Sequence, residues 1–548
     1  MDFSALKNRL PTGVSDFAEI RRSNCIYVDK TKYVYDLTQS RAPVFISRPR
    51  RFGKSTLIST FEELFTHGVK PYDGHDSYFK NLYIEDKWVD DGQYLIMKLD
   101  FSSLFVGSCS SGEKFLNKFL EVLKKFCLKF NVPIEETGDL ATLFNHILQN
   151  IPNRSLVILV DEYDYPLTRN ICHPDVFEDI AEVLRAFYQC IKSNSGKYRF
   201  IFITGITRYK DSSIFTAGNT ISDESQNPDF GEIVGYTRDE IKNNFGENLK
   251  YSASILKNKN VTEVIESDIE ELLDELASMY DGYCFDKRIK THVFSTWSII
   301  NFFSDSDASF DNYWYDGGGL PTILRSYLLQ LKDNIQEVLN TDNVIVKKSV
   351  FNNPTDLATM DANVLLYQTG YLTFEKITTT SCFLKLPNKE IKDSLTNLYF
   401  ENIYFNDRQR EALQDQKLSS CKDAQDIFDY FNQILNAVDY EHYPLTQESA
   451  VTNSLFLFFL GYSITYPSVN VHSAKGRADL IIDEKDRRIV CELKYARDDG
   501  EVDSLLEEAV NQLKDKDYGN TVQSPTNTIK LALVFSQEQK KFVVFKQI

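Results

Sequence analysis

Gly53-Lys54-Ser55 combines the residue types that bind the phosphates of a nucleotide. Lys54, expected on an exposed loop, would reach the β- and γ-phosphates, and the Ser55 hydroxyl would ligate Mg²⁺. A helix beginning at this point would add unpaired backbone N–H groups and partial positive charge. With Thr56 as a further expected contact, the segment predicts an ATP–Mg²⁺ site.

The surrounding elements support this reading. The apolar run Val44–Ile46 predicts a buried strand, and after a basic turn one side of a helix is apolar at Leu57, Ile58, Phe61, Leu64 and Phe65. Strand, turn, G-K-S and helix in this order predict a phosphate loop. One position departs from G-x-x-x-x-G-K-[ST], since Arg48 stands where the first glycine is expected. The alternative is a chance G-K-S after a strand.

An acidic pair, Asp161-Glu162, follows the five apolar residues after Ser155. Asp161 would hold Mg²⁺ through water, and Glu162 would polarise the attacking water. Both are needed at the carboxyl end of a strand, because open α/β sheets bind ligands in that crevice. The alternative is a buried strand that merely ends in acidic residues.

Predicted strands near residues 44, 94, 156 and 200 alternate with helices, which predicts a doubly wound α/β fold with a parallel sheet. One strand separates the two phosphate-site strands in sequence, as in NTPases with an extra central strand. The strand Phe200–Thr204 would then be the sensor strand, with Thr204 near the γ-phosphate. Arg208, just beyond it, is either a sensor or arginine finger or a surface arginine.

Beyond this core, residues 235–320 predict a helical lid that starts at a capping box of Thr237 and Glu240. Residues 321–430 form a connecting region with predicted strands at Tyr371–Lys376 and Ser381–Leu386. This region is either winged-helix-like or an extension of the lid. The predicted domains are therefore the P-loop core 1–234, lid 235–320, connecting region 321–430 and C-terminal domain 431–548.

The C-terminal domain carries its own chemical residues, Asp479, Glu492 and Lys494, within a predicted αβββαβ order. This order and motif are those of the PD-(D/E)xK nuclease superfamily. Glu492 and Lys494 share one face of a strand. A turn centred on Glu484-Lys485 would place Asp479 diagonal to Glu492, with Cα atoms roughly 7–8 Å apart. The alternative is a chance D-x(12)-E-x-K in a strand hairpin.

Two such carboxylates could hold one Mg²⁺ or Mn²⁺ ion, and Lys494 would orient or deprotonate the attacking water. Glu448, on a helix predicted at Thr446–Leu460, could add a ligand. A strand is predicted at Ser463–Pro467. Gln512 and Tyr518 are candidates for contacts to a phosphodiester.

Composition limits the class of protein. The chain has 548 residues, a net charge of −18 and nine cysteines without a C-x-x-C pair. Its length predicts two to four domains, and the cysteines favour a reduced, intracellular protein without structural zinc. The negative charge argues against attraction of the whole surface to nucleic acid but not against a local basic groove. No apolar run is long enough to span a bilayer, and the N-terminus lacks a secretory signal, so we expect a cytoplasmic protein.

Over nearly its whole length the chain resembles the AAA-ATPase-like family that carries a C-terminal PD-(D/E)xK nuclease-superfamily domain. The resemblance is carried by Arg48-Pro49-Arg50-Arg51-Phe52-Gly53-Lys54-Ser55, Val160–Asp164, Thr204–Arg208, Gly476–Asp479 and Glu492–Lys494. It implies ATP binding and a nuclease fold. The family's loop usually has arginine at the position of Arg48, and we expect Arg48 and Arg51 to belong to the ATP site.

Three functions remain open from the sequence. The leading hypothesis is an ATPase that controls a metal-dependent domain acting on DNA. The rivals are a signalling switch, in which the nuclease-like domain binds a partner without cleaving, and an intracellular toxin or effector. A homo-oligomer or a protein partner is possible under each hypothesis.

Overall fold

The computed structural model describes residues 3–548 except 106–110, 172, 209–220, 317–323, 325–343, 353–359, 400–417, 439–444, 461–465, 474–475, 485–486 and 516–526. The chain divides into two units. One contains the residues up to 327 together with 343–391, and the other contains 392–548. The predicted division into four domains stays a prediction.

The first unit is built on a parallel sheet of five strands: β1 Val44–Ser47, β2 Leu95–Asp100, β3 Leu156–Asp161, β4 Tyr198–Gly205 and β5 Ser222–Asp223. Their order is β2-β3-β4-β1-β5. β4 therefore lies between β1 and β3, in the position of an extra central strand. Every residue of β3 is buried, since helices cover both faces of a parallel sheet. The predicted doubly wound α/β fold is confirmed.

Helices surround this sheet. They are α1 Phe3–Asn8, α2 Phe17–Arg22, α3 Thr31–Thr38, α4 Lys54–His67, α5 Gly112–Phe130, α6 Leu140–Gln149, α7 Tyr165–Arg169 and α8 Pro174–Ser193. The helix α4 buries the side chains predicted to form its apolar face, Leu57, Ile58, Phe61, Leu64 and Phe65. That burial fixes the helix directly behind the end of β1.

The lid sequence also forms helices: α9 Arg238–Asn244, α10 Gly246–Leu256, α11 Glu266–Tyr280, α12 Thr296–Ser304 and α13 Tyr313–Asp316. The predicted capping box of Thr237 and Glu240 starts α9. Leu249, Leu273, Phe302 and neighbouring apolar side chains pack into one core.

A three-stranded antiparallel sheet follows, with β6 Val344–Lys347, β7 Thr373–Ile377 and β8 Ser381–Lys385 in the order β6-β8-β7. The helices beside it in sequence are α14 Lys348–Asn352, α15 Ala362–Thr369 and α16 Lys389–Tyr399. A winged-helix assignment stays a prediction.

The second unit contains one mixed sheet of β9 Tyr466–Ser473, β10 Gly476–Asp483, β11 Arg488–Ala496, β12 Thr528–Ser536 and β13 Lys541–Gln547. Its order is β13-β12-β11-β10-β9, and only β11 and β12 are parallel. The helices are α17 Ala424–Asn436, α18 Glu448–Leu460 and α19 Val502–Asp515. The predicted αβββαβ order is present from α18 to β12. The strand β9 overlaps the end of the strand predicted at Ser463–Pro467 and continues beyond it, and residues 463–465 lie outside the described residues.

The β10–β11 register corrects the predicted geometry of the hairpin. Leu480 pairs with Cys491 and Asp483 pairs with Arg488. Continuing this register by one residue sets Asp479 opposite Glu492, not diagonal to it. Four residues separate the paired ends Asp483 and Arg488 instead of the predicted two, so the pairing partner of Asp479 shifts by two residues.

Among the helices that the structure describes, none has both the length and the apolar character needed to cross a bilayer.

Candidate functional site

The loop between β1 and α4 ends at Gly53, whose backbone conformation favours glycine. Gly53 has φ 93°, in the left-handed region where a side chain is strained. A Cβ atom there would meet nothing within 4 Å, so the backbone angle, not crowding, favours glycine. Helix α4 begins at the next residue, Lys54, and its N-terminus faces a cavity of about 540 Å³.

The cavity walls bring together many of the predicted ATP-site residues. Gly53, Lys54, Ser55 and Thr56 line it together with Glu162. The Ser55 hydroxyl donates a hydrogen bond to the Asp161 carboxylate at 2.8 Å. Burial raises the pKa of Asp161, and the charge of Lys54 and this hydrogen bond act against the rise. A hydroxyl beside a carboxylate fits Mg²⁺, which prefers oxygen ligands.

Lys54 is buried, which corrects the expectation of an exposed loop lysine. Its Nζ donates to the carbonyl oxygen of Pro49 at 2.7 Å. Burial lowers its pKa, while Asp161 and Glu162 favour its charged form. The ammonium is thus held by its own loop, and the charges of the nearby carboxylates stabilise it.

Glu162 is held in an unusual backbone conformation. Its φ is 48°, in the left-handed region, which costs of order 1 kcal/mol for a residue with a side chain. Burial raises its pKa, and the charges of Lys54 and Arg50 oppose the rise. A carboxylate with a raised pKa that lines the cavity suits a general base.

Arg48, which stands where the phosphate-loop motif has its first glycine, makes contacts that stabilise the fold. Arg48 is 1% exposed, and its guanidinium donates to the carbonyl oxygens of Ser225 at 2.7 Å and Phe230 at 2.8 Å. It also stacks over the Phe285 ring at 4.7 Å. It is not among the residues that line the cavity. These contacts tie the end of β1 to the segment after β5.

Arg51 connects the loop to the helical lid. Its guanidinium donates to the carbonyl oxygens of Tyr313, at 2.7 Å, and Trp314. The backbone carbonyl of Arg51 accepts the Thr296 hydroxyl at 2.9 Å, at the start of α12. Arg51 therefore lines the cavity with its guanidinium already engaged.

Arg50, which the sequence analysis did not select, lines the cavity and acts on both Lys54 and Glu162 through its charge. No carboxylate among the described residues lies within ion-pair distance of its guanidinium. The sequence does show three arginines around Pro49, but it does not indicate which of the three lines the cavity and acts on Lys54 and Glu162 through its charge.

Thr204 and Arg208 do not line this cavity. The Thr204 hydroxyl donates to the Ile46 carbonyl at 2.7 Å and so joins β4 to β1. Arg208 forms an ion pair with Asp223 at 2.5 Å, and its backbone exchanges two hydrogen bonds of 3.0 Å with the Gln368 side chain. The predicted readings of Arg208 were a sensor or arginine finger and a surface arginine, whereas these contacts favour a structural role.

In the second unit, the hairpin brings Asp479, Glu492 and Lys494 together. Asp479 accepts a hydrogen bond from the Leu493 N–H at 2.8 Å. Lys494 Nζ lies 3.2 Å from Glu492 Oε1. Burial opposes the charge of Lys494, but the surrounding carboxylates outweigh it and raise the pKa of Lys494.

Glu492 has one oxygen that fits a cation. Its Oε2 atom is buried and has no hydrogen-bond partner among the described residues. Burial, and then the charge of Asp479, raise the pKa of Glu492 to about 7. A buried, unpaired carboxylate oxygen beside a second carboxylate fits a divalent metal ion. Within the described part of the chain, however, no three His, Cys, Asp or Glu side chains form a ready metal-binding group.

The predicted third ligand and the DNA contacts are placed as follows. Glu448 starts α18 and is near enough to raise the pKa of Glu492 through its charge. Gln512 donates to Glu508 at 3.3 Å. Glu508, which the sequence analysis missed, lies 3.8 Å from Lys494 Nζ. Tyr518 lies outside the described residues.

Comparison with known proteins supports both domain families. Residues 11–215 match a family model described as "Predicted AAA-ATPase". Residues 447–546 match the model of the PD-(D/E)XK nuclease superfamily. The chain is also 25% identical over 558 aligned positions, covering 98% of both chains, to "Uncharacterized protein in vnfD 5'region" from Azotobacter chroococcum mcd 1.

The phosphate-loop geometry lies inside the first matched range, and the hairpin with Asp479 and Glu492 lies inside the second. The predicted family resemblance is thereby confirmed. The chain combines an AAA-ATPase-like domain with a C-terminal PD-(D/E)XK nuclease-like domain.

Proposed function

We propose that the protein binds and hydrolyses ATP, and that this cycle controls a C-terminal domain that cleaves DNA with a divalent cation. The observation that supports ATP hydrolysis is the hydrogen bond of 2.8 Å between Ser55 and Asp161. Lys54 and Glu162 line the cavity beside this hydrogen bond. Residues from the start of α4 and the end of β3 converge there, as phosphoryl transfer requires.

Each residue has a role in the proposed hydrolysis. The backbone N–H groups at the start of α4 and Lys54 bind the phosphates, and Ser55 and Asp161 hold Mg²⁺. Glu162 accepts a proton from a water molecule whose oxygen attacks the γ-phosphorus. The bond from that phosphorus to the β–γ bridging oxygen breaks, which yields ADP and phosphate.

Arg50 is proposed to bind the γ-phosphate and stabilise its charge in the transition state. It lines the cavity and has no ion-pair partner among the described residues, whereas Arg48 and Arg51 are held by backbone carbonyls. Arg50→Ala should lower kcat by about a thousandfold, within the range known for arginine fingers. Arg22→Ala removes the same charge from an exposed position and should leave kcat unchanged. Equal kcat in both variants would exclude this role.

In the nuclease-like domain, Asp479 and Glu492 would hold the divalent cation. When bound, the cation would offset the charge that develops on the attacked phosphate. Lys494 would position the attacking water, and its attachment to the same strand face as Glu492 fixes its distance from that carboxylate. Glu448 would support the site through its charge.

Cleavage is tested by incubating the full-length protein with plasmid, linear and single-stranded DNA, with Mg²⁺ or Mn²⁺ and with or without ATP. Asp479→Asn should abolish cleavage. The matched control Asp503→Asn changes an exposed carboxylate of α19 and should cleave normally. Cleavage that survives in Asp479→Asn would come from another site or a contaminant.

We describe control by ATP as a coupling free energy between the binding of ATP and the binding of DNA. If ATP changes the affinity for DNA by some factor, DNA must change the affinity for ATP by the same factor. Measuring both affinities by titration, in wild type and in Lys54→Ala, tests this reciprocity. Two factors of one would reject control by ATP and leave two independent activities.

A second candidate is a switch whose nuclease-like domain binds a partner without cleaving. Lys494 lies 3.2 Å from Glu492 and 3.8 Å from Glu508, so two carboxylates already engage its ammonium. The chain also has a net charge of −18. This negative charge disfavours a nucleic-acid partner. ATP binding without cleavage of any DNA form would favour the switch.

A further inference from the structure

Residues before or at the start of four strands form a cleft at the edge of the first unit's sheet opposite to the phosphate loop. Tyr94 precedes β2, Arg154 lies two residues before β3, and Arg199 is the second residue of β4. Residues 38–41, before β1, and Asp90 complete a cleft of about 440 Å³. Parallel strands place all their amino ends at one edge, so this cleft is separate from the ATP cavity. We call it the basic cleft.

The basic cleft has an excess of positive charge. Arg199 is neutralised by Asp90, with Nε and Nη2 both 2.9 Å from one carboxylate oxygen. Arg41 and Arg154 are exposed, and no carboxylate among the described residues lies within ion-pair distance of either. Two uncompensated arginines beside one cleft favour binding of an anion there. This local charge is opposite to the net charge of the chain, which is −18.

Arg199 is a rigid part of this surface. Its guanidinium stacks over the rings of Phe65, at 5.4 Å, and Trp88, at 5.8 Å. It also donates to the Thr38 carbonyl at 3.2 Å. Fixing a guanidinium before the ligand arrives removes the entropy cost of ordering it on binding.

A smaller pocket of about 70 Å³ shares Ser40, Arg41 and Arg199 with the basic cleft and is otherwise mainly apolar. Tyr188 and Tyr198 line it, and both hydroxyls are buried without a hydrogen-bond partner among the described residues. Tyr188 is only 3% exposed. An unpaired buried hydroxyl costs free energy, which a polar group on a ligand would recover.

We propose that the basic cleft and its pocket bind a small organic anion at a site distinct from the ATP cavity. The phosphate or carboxylate would lie between Arg41 and Arg154, and a ring or short aliphatic body would enter the pocket. A hydroxyl at the far end of that body would hydrogen-bond with Tyr188 or Tyr198.

Calorimetric titration of the full-length protein tests the site with phenyl phosphate, 4-hydroxyphenyl phosphate, benzoate and inorganic phosphate. Phenyl phosphate should bind about tenfold more tightly than inorganic phosphate, because only phenyl phosphate fills the pocket. 4-Hydroxyphenyl phosphate should bind more tightly again, and Tyr188→Phe with Tyr198→Phe should remove that extra affinity. Benzoate distinguishes a carboxylate site from a phosphate site.

Arg154→Ala and Arg41→Ala should each weaken binding of phenyl phosphate about tenfold. Arg22→Ala, with the same change of charge, and Lys54→Ala, in the ATP site, should leave it unchanged. Loss of binding in Lys54→Ala would place the ligand in the ATP cavity and overturn the proposal. Equal affinities for phenyl phosphate and inorganic phosphate, or binding of neither phosphates nor benzoate, would also overturn it.

Discussion

Asp164 accepts two hydrogen bonds from Thr207, one from its N–H at 2.7 Å and one from its hydroxyl at 2.5 Å. It also accepts the N–H of Ile206 at 3.2 Å. Asp164 follows Asp161 and Glu162 in sequence, and Thr207 follows the end of β4. This buried carboxylate therefore fixes the loop that carries Glu162 against the central strand of the sheet.

Asp164→Ala should lower the free energy of unfolding by about 3 kcal/mol, because it leaves buried N–H groups unpaired. Asp164→Asn keeps an acceptor and should cost less, and Thr207→Val removes only the hydroxyl bond. Urea unfolding of the three variants measures the order. A stability of Asp164→Ala equal to that of wild type would show that the network carries no net free energy.

Lys54→Ala should abolish ATP binding, because the buried ammonium supplies the cation for the phosphates. Lys54→Met, which keeps most of the apolar stem, should also fail to bind while retaining more of the packing than the alanine variant. Calorimetry measures the affinity, and circular dichroism checks that both variants are folded. Normal ATP affinity in a folded Lys54→Met protein would contradict the phosphate-loop assignment.

Glu162→Gln should bind ATP normally but hydrolyse it at least about a hundredfold more slowly, since the amide cannot accept the proton of the attacking water. Asp161 and Ser55 remain in place for Mg²⁺. Single-turnover hydrolysis and a nucleotide-binding titration separate the two effects. A parallel loss of binding and turnover would make Glu162 a structural residue.

Glu390 should make the stability of the first unit depend on pH. Burial raises its pKa to about 8, although the Trp314 N–H and the Ser298 hydroxyl hydrogen-bond with its carboxylate. The folded state therefore binds this proton more tightly than the unfolded state, whose pKa is near 4.5. The contribution is fully present below about pH 4.5 and is lost as the pH rises to about 8.

Glu390→Gln should reduce this decline, because the amide does not titrate. Glu121→Gln changes an exposed carboxylate of α5 and serves as the matched control. Urea unfolding between pH 5 and 8 gives the slopes. An identical slope in wild type and Glu390→Gln would assign the pH dependence to other groups.

Mg²⁺ or Mn²⁺ should raise the melting temperature of the second unit, since a ligand that binds only the folded state stabilises it. Asp479→Ala should remove the response, while Lys494→Ala should keep it and lose any cleavage. Asp503→Ala is the matched control for Asp479→Ala. ATP is omitted and Ser55→Ala, which lacks a proposed Mg²⁺ ligand of the first unit, is measured in parallel, so that metal binding at the first unit is separated. A wild type without either metal-linked stabilisation or cleavage would favour the switch.

The sequence by itself determined the elements and the two chemical constellations. Apolar runs identified β1, β3 and β4, because a strand covered on both faces needs little polar surface. G-K-S at the start of α4 and D-E at the end of β3 located the candidate phosphate site, because each motif is a run of residues that are neighbours in sequence. The E-x-K pair on β11 was equally local, since neighbouring alternate residues share a face.

Only the tertiary structure decided how residues distant in sequence meet. The length of the β10–β11 turn placed Asp479 opposite Glu492, a shift of two residues in the pairing that no local pattern encodes. The roles of Arg48, Arg50 and Arg51 depend on Ser225, Phe230 and the lid helices, which come to the loop only after folding. The basic cleft depends on the same principle, because Arg41, Arg154 and Arg199 precede or begin separate strands and become neighbours only when those strands pair.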